Sequence, residues 1–123
     1  MKKTLMIFSF LVGFVYADNG MPVMYGGDAD ADACAALGEI RGISKHGDGF
    51  VAIRNGAGSK YRMKDKIRKN GTRVTICDSH GKWIGIVYGE DCGTSSPIAK
   101  KQPYKGQCKS GWVYEKFVEL IAG

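Results

Sequence analysis

The sequence predicts an all-β domain, a small barrel or sandwich of about five short strands. From Leu37 onward, short runs rich in β-branched and aromatic residues are separated by glycine-containing turns. No stretch of this part has a sustained helical period of apolar residues, and no internal repeat is present. A chain of 123 residues fits one such domain.

The first seventeen residues have the pattern of a signal peptide. Two lysines precede an apolar run from Leu5 to Val15, and the small residue Ala17 ends the segment. This is the order of n-region, h-region and cleavage site in an exported protein. A membrane anchor is the alternative, but a run of about 11 apolar residues is too short to cross a bilayer as a helix. We expect residues 1–17 to be removed and the mature chain to begin at Asp18.

The cysteine content agrees with export. The mature part contains Cys34, Cys77, Cys92 and Cys108. An even number in a small secreted domain predicts two disulfides, and four cysteines allow three pairings. A zinc site needs close ligand pairs, and the nearest His–Cys pair is Cys77 with His80, so a metal site is not favoured. Two cross-links suit a mature domain of about 106 residues, whose hydrophobic core is modest.

The charge balance is basic and limits the classes of partner. Eighteen Lys and Arg against twelve Asp and Glu give a net charge of +6, which falls to +4 when Lys2 and Lys3 are removed. This charge favours anionic surfaces but is lower than expected of a dedicated nucleic-acid-binding protein. Export also argues against nucleic acid, so we expect no nucleic-acid partner.

Residues 18–36 are rich in Gly, Ala and Asp without apolar periodicity, which predicts a flexible acidic leader. This leader and the following strand contain acidic residues with the ligand spacing of an EF-hand loop: Asp28, Asp30, Asp32 and Glu39. However, Ala33 occupies the position where the sharp turn of that loop requires glycine. No helix is predicted on either side. We therefore expect neither a calcium site nor any other metal site.

Alternation and turn residues place the strands. They are predicted at Glu39–Ile43, Phe50–Arg54, Thr72–Cys77, Trp83–Tyr88, Gly111–Tyr114 and Phe117–Ile121. The Ser79–Lys82 loop joins the third and fourth of these runs as a hairpin. The stretch 89–109 is long and irregular and contains two prolines and two cysteines. It is predicted to be an insert between strands.

Four short motifs, in this order, carry a resemblance to a known family. They are FVAIRNGAGSKY at 50–61, KNGTRVTI at 69–76, KWIGIV at 82–87 and GWV at 111–113. The series resembles the bacterial Src homology 3 (SH3b) domain over about residues 39–121. The resemblance implies a small SH3-like barrel over residues 37–123. The chain departs from the pattern at Ala57, where proline is usual, and in the length of the insert.

The insert suggests one disulfide pairing. Its flanking strands should pair antiparallel, which would bring Cys92 and Cys108 together at the outer end of a hairpin. The resulting loop of about 17 residues would be worth roughly 3 kcal/mol. Cys34–Cys77 is then the pairing that remains, and it would tie the leader to the barrel. Of the three possible pairings, we favour this one.

Nothing in the sequence indicates an enzyme. His46 and His80 are the only histidines, and both lie in predicted turns beside glycine. A Cys–His nucleophile requires a free thiol, whereas all four cysteines are accounted for by disulfides. We expect no catalytic residue and no cofactor.

Two sets of residues are candidates for ligand binding. The aromatic set is more than a small core needs and comprises Tyr61, Trp83, Tyr88, Tyr104 and Tyr114. The resemblance implies a groove lined by aromatic rings that holds an extended peptide, with Trp83 as the leading candidate. The basic set lies in the charged stretch 60–73 and is represented by Lys64 and Arg68. The alternatives are that the rings pack at the core or its rim, and that the basic residues form a solvated face.

The resemblance implies a periplasmic binding module that recognises peptidoglycan or an extended peptide in the cell envelope. The alternative is an exported inhibitor or immunity-type protein that binds a secreted wall-degrading enzyme. A stand-alone domain fits this alternative, because family members that target enzymes to the wall are usually fused to them. The sequence does not indicate an oligomeric state.

Overall fold

The computed structural model describes residues 19–123, and the predicted signal peptide lies outside them. The described part is built almost entirely of β-strands, with one turn of 3-10 helix at Glu115–Phe117 and no α-helix. The strands are β1 (Met24–Tyr25), β2 (Ala36–Ile40), β3 (Val51–Arg54), β4 (Met63–Ile67), β5 (Arg73–His80), β6 (Trp83–Tyr88), β7 (Gln102–Pro103), β8 (Lys109–Tyr114) and β9 (Val118–Ala122). The predicted all-β class is confirmed.

The strands form two antiparallel sheets. The larger has the order β4-β3-β8-β6-β5-β2-β9, and the smaller pairs β1 with β7. The prediction of a closed barrel of about five strands is wrong in this respect, because the seven-stranded sheet is open and its edge strands β4 and β9 do not pair with each other. The unpredicted strand of this sheet is β4, from the charged stretch 60–70, which returns along β3 as a hairpin. That hairpin joins β8 at one residue pair, Arg54 with Trp112.

The hairpin of β5 and β6 forms the middle of the large sheet, as the alternation predicted. Its residues pair from Thr75 with Val87 to His80 with Trp83, across a bulge after Ile76. Gly81 has a φ of 62° in the two-residue turn, a conformation that glycine adopts without steric cost. Trp83 is therefore the first residue of β6, directly after the turn.

The main core is a cluster of aliphatic side chains from six strands. Its buried members are Ile40, Val51, Ile53, Ile67, Val74, Ile86 and Val113. Ile40 on β2 and Ile67 on β4 belong to this one cluster, although their strands are far apart in the sheet order. The sheet is therefore strongly curved around the core although it does not close.

A second layer covers the opposite side of the sheet and includes the segment 19–36. Val23, only 2% exposed, packs with Val87, Tyr104 and Trp112 in a second buried cluster. The indole Nε1 of Trp112 donates a 2.8 Å hydrogen bond to the carbonyl of Met21. This placement differs from the flexible leader that the composition predicted. The burial of a few apolar residues against a distant sheet leaves no periodic trace in the sequence.

Both disulfides have the predicted pairing. Cys34 is bonded to Cys77, which attaches the N-terminal segment to β5. Cys92 is bonded to Cys108 and closes the insert between β6 and β8.

Within residues 19–123, no helix is long and apolar enough to cross a membrane.

Candidate functional site

A groove with a volume of about 410 Å³ lies between β3, the start of β6 and the 3-10 turn. Its surface is mostly apolar and is open to solvent along one side. The residues that line it are Ala52, Arg54, Ser59, Trp83, Tyr114, Lys116 and Phe117. A concave surface with aromatic rings and a few polar groups is the usual form of a binding site.

The floor of the groove is an aromatic pair. Trp83 is the first residue of β6, Tyr114 is the last of β8, and the two are cross-strand partners. Their ring centroids lie 5.5 Å apart at an interplanar angle of 69°, an edge-to-face contact. The amide of Glu115 donates a 2.8 Å hydrogen bond to the carbonyl of Lys82, which fixes the chain on both sides of the pair. Both rings are half-buried, so each keeps an accessible surface.

Strand β3 supplies one wall of the groove. Val51 and Ile53 point into the main core, so the alternation of the strand turns Ala52 and Arg54 to the other face. Nη1 of Arg54 donates a 3.0 Å hydrogen bond to the carbonyl of Tyr61. The guanidinium is therefore held in a defined position beside the aromatic floor.

The 3-10 turn supplies the facing wall. The amide of Arg41 donates a 2.9 Å hydrogen bond to the carbonyl of Phe117, which attaches the turn to the chain after β2. The half-buried Phe117 packs against the main core and also lines the groove. The Lys116 ammonium lies 5.2 Å from the centroid of the Phe117 ring.

Tyr61, another of the predicted ligand-binding residues, lies behind the β3 wall and not in the lining. Its half-buried ring covers Gly56, where a Cβ would come within 2.5 Å of the ring. Its carbonyl holds Arg54. The structure thus gives Tyr61 a supporting position.

Tyr88 lies at the opposite end of β6 from Trp83. Its hydroxyl donates a 2.7 Å hydrogen bond to Oδ2 of Asp65 on β4, and Nζ of Lys109 lies 3.4 Å from the same oxygen. Burial raises the pKa of Tyr88 well above its usual value, and the hydrogen bond to Asp65 and its negative charge act in the same direction. Burial also tends to raise the pKa of Asp65, but hydrogen bonds from Tyr88 and the Lys66 amide, with the Lys109 charge, outweigh it and lower this pKa.

Tyr104 belongs to the second buried cluster and is 9% exposed. Its ring meets Tyr25 edge to face at 5.1 Å. Its hydroxyl donates to the carbonyl of Cys92 at 2.7 Å and accepts from the amide of Cys108 at 3.2 Å. The Tyr104 hydroxyl thus connects the backbone of the two disulfide-bonded cysteines of the insert.

The two predicted basic residues, Lys64 on β4 and Arg68 directly after it, do not line the groove. Lys64 and Arg68 border a shallow depression together with Met63, Asp65 and Lys66. Lys66 Nζ and Arg68 Cζ lie 4.5 and 5.7 Å from the centroid of the Phe50 ring. Since β4 is an edge of the large sheet, these cations border a strand with an unpaired side.

The acidic positions with EF-hand spacing do not converge. Asp28 accepts a 2.8 Å hydrogen bond from the amide of Asp30, a local turn contact. Glu39 is bound by Arg73 at 3.0 Å and by Arg41. Within residues 19–123, no group of three or more His, Cys, Asp or Glu side chains is arranged to hold a metal ion.

The structure thus brings together two of the seven predicted ligand-binding residues, Trp83 and Tyr114. The sequence did not identify Arg54, Lys116 or Phe117 as their neighbours. The outward position of Arg54 could have been inferred from the alternation of β3. The approach of the 3-10 turn could not, because it depends on long-range pairing of β8 and β9 with other strands.

Comparisons of the chain with protein-family models, curated proteins and solved structures found no match. The resemblance to the SH3b domain rests on the four motifs in the sequence. Trp83 belongs to one of these motifs, and Tyr114 directly follows another.

Proposed function

We propose that this chain is an SH3b-like binding module of the cell envelope that recognises peptidoglycan or an extended peptide. The observation that carries the proposal is the groove over the Trp83–Tyr114 pair. Flat aromatic rings bury a large area of an extended chain and lose little side-chain entropy when they do so. The walls of the groove come from a sheet and a pinned turn, so the site is formed before a ligand arrives.

The disulfides support an exported location. Cross-links of this kind form and persist in oxidising compartments, and two of them occur in a small domain here. Periplasmic residence is the form of export that the resemblance implies.

A binding role is favoured over an enzymatic one. His46 and His80 are exposed and do not line the groove. All four cysteines are in disulfides, so none supplies a thiol nucleophile. The groove lining contains no His, Cys, Asp or Glu side chain, and His is the residue that most often serves as a general base.

The proposal is tested by sedimentation of the oxidised protein with purified peptidoglycan sacculi at low and high salt. We expect binding that survives high salt in large part and is lost on Trp83→Ala, because the aromatic floor disappears. Phe50→Ala is the matched control, since Phe50 is a half-buried aromatic residue outside the groove. Equal binding by Trp83→Ala and the unmodified protein would reject the groove as the site.

A second candidate function is the binding of a secreted wall-degrading enzyme as an inhibitor. The observation that favours it is the ordered insert, which is closed by Cys92–Cys108 and by two hydrogen bonds from Gln107. A rigid loop suits a protein partner because little entropy is lost when it docks. Co-purification from envelope extracts, compared with a Lys100→Glu/Lys101→Glu variant, tests this function. If a partner co-purifies equally well with the variant and with the unmodified protein, this part of the insert is not its contact surface.

A further inference from the structure

We propose that the groove over Trp83 and Tyr114 selects extended peptides that carry free carboxylates, with Arg54 and Lys116 as the residues that recognise them. This inference rests on the proposed function, because it names the chemical class of ligand for the same site.

The charges of the lining point to an anionic ligand. Of the seven residues that line the groove, Arg54 and Lys116 are cationic and none is acidic. Within residues 19–123, neither of the two cations forms an ion pair, although Glu39 and Asp65 do so elsewhere. The groove therefore presents two positive charges beside an apolar floor without a counter-charge of its own.

Both cations have contacts with neutral groups, which leave their charge uncompensated. The carbonyl of Tyr61 takes one of the five N–H donors of Arg54, so the remaining donors can meet a carboxylate. Lys116 rests against the Phe117 ring. Because a neutral carbonyl holds Arg54, its guanidinium is preorganised for an anion, and binding requires little rearrangement.

The charge extends beyond the lining on the β3 side. Lys66 is the cross-strand partner of Ala52, so the two side chains leave the same face of the hairpin. Oppositely charged groups on a ligand would be attracted along this wall, and like-charged ligands would be disfavoured. The arrangement favours an acidic peptide over a neutral or basic one.

The first test needs no ligand, because the chain has two tryptophans in different environments. Trp112 is 1% exposed, whereas Trp83 is half-buried in the groove, so collisional quenching reports mainly on Trp83. We expect the ratio of the iodide to the caesium quenching constant to be roughly twofold higher for the protein than for free N-acetyltryptophanamide measured in the same way, since a positive groove concentrates anions. Arg54→Gln/Lys116→Gln should bring the ratio back toward that of the free compound. A ratio no higher than that of the free compound would overturn the inference.

The second test measures the ligand preference. Binding is compared for native sacculi and sacculi whose carboxylates have been amidated, and for short synthetic peptide libraries with Glu or Gln at fixed positions. We expect the carboxylate forms to bind about three- to fivefold more tightly at low salt, with a smaller difference at high salt. A preference seen with sacculi would identify the ligand as a peptide of the wall, and a preference seen only with the peptide libraries would identify it as a segment of a protein.

Charge-matched variants assign the effect to the groove. Arg54→Gln/Lys116→Gln should abolish the preference, and the exposed single change Lys116→Gln should reduce it even if the double variant folds poorly. The control Lys45→Gln/Lys105→Gln lowers the net charge equally and should leave the preference unchanged, because neither residue lines the groove. An equal effect of the control pair would overturn the inference.

The outcomes separate this inference from the proposed function. Tight binding of native and amidated ligands alike, lost on Trp83→Ala, would leave the proposed function standing and reject the carboxylate preference. Binding that is unaffected by Trp83→Ala would reject the groove itself, and with it both proposals.

Discussion

The hydroxyl of Tyr88 on β6 donates a 2.7 Å hydrogen bond to the carboxylate of Asp65 on β4. Strands β3 and β8 separate β4 from β6 in the sheet order, so the bond connects parts of the sheet that share no ladder. Lys109 of β8 adds an ion pair to the same oxygen at 3.4 Å. The curvature of the sheet brings these groups together, and the contact helps to hold the β3–β4 hairpin.

Because of the Asp65 contact, the free energy of unfolding should decrease at acidic pH. Its pKa is lower in the folded chain than in the unfolded one, so its contribution is present above the unfolded pKa of about 4 and is lost as pH falls through the folded pKa. We expect the free energy of unfolding to fall on acidification below about pH 4, and to fall less in Tyr88→Phe. Urea denaturation at neutral and acidic pH measures both. A decline in Tyr88→Phe as large as in the unmodified protein would contradict this role of the pair.

Tyr88 should resist deprotonation in base. Burial and the neighbouring carboxylate raise its pKa in the folded chain, so the neutral phenol stabilises the fold below its unfolded pKa. This contribution is lost as the pH rises from about 10 through the folded pKa. We expect Tyr88→Phe to leave the ultraviolet absorbance rise of tyrosinate near pH ~10 almost unchanged, because Tyr88 does not ionise there. A clear loss of amplitude in the variant would show that Tyr88 titrates normally.

The parts of the fold that the sequence predicted are those with local signals. The β5–β6 hairpin follows from alternating Val74 and Ile76 and from a turn that contains Gly81, features that act over a few residues. The favoured disulfide at Cys92 and Cys108 depended on the pairing of the two strands that flank the insert. That pairing is present in the register of β6 with β8.

The features that the sequence did not predict depend on contacts between distant segments. Val23 is buried because the insert and β8 supply Tyr104 and Trp112 on the far side of the sheet, a relation that composition does not encode. Tyr104 was a candidate for ligand binding on the basis of residue type, and the structure places it against Tyr25 with its hydroxyl bonded inside the insert. An aromatic side chain can either bind a ligand or pack in a core, so only the surroundings of Tyr104 show which of the two it does.

The two disulfides should contribute unequally to stability. Cys34 and Cys77 are 43 residues apart, and Cys92 and Cys108 only 16, so the first removes more entropy from the unfolded chain. We expect Cys34→Ala/Cys77→Ala to lower the free energy of unfolding by about 4 kcal/mol, and Cys92→Ala/Cys108→Ala by about 3 kcal/mol. Urea denaturation measures both losses.

The first pair has a second, structural readout. Cys34 helps to hold the N-terminal segment, which covers Trp112, so its loss should also shift tryptophan emission to the red. Loss of Cys92–Cys108 should shift the emission less, because Met21 and Val23 remain tethered over Trp112. An equal shift in the two variants would argue against this role of Cys34–Cys77.

Gly56 should be required for the β3 wall of the groove. A Cβ at this position would come within 2.5 Å of the Tyr61 ring, closer than any real contact, so the ring must move. We expect Gly56→Ala to lower the free energy of unfolding by about 2 kcal/mol, the usual cost of overpacking. Gly58→Ala is the matched control, because its Cβ would meet the same ring at 3.5 Å, an ordinary contact.

Movement of Tyr61 should also displace the carbonyl that holds Arg54. Gly56→Ala, measured where it is still folded, should therefore weaken the carboxylate preference. An unchanged preference would mean that Arg54 keeps its position without Tyr61.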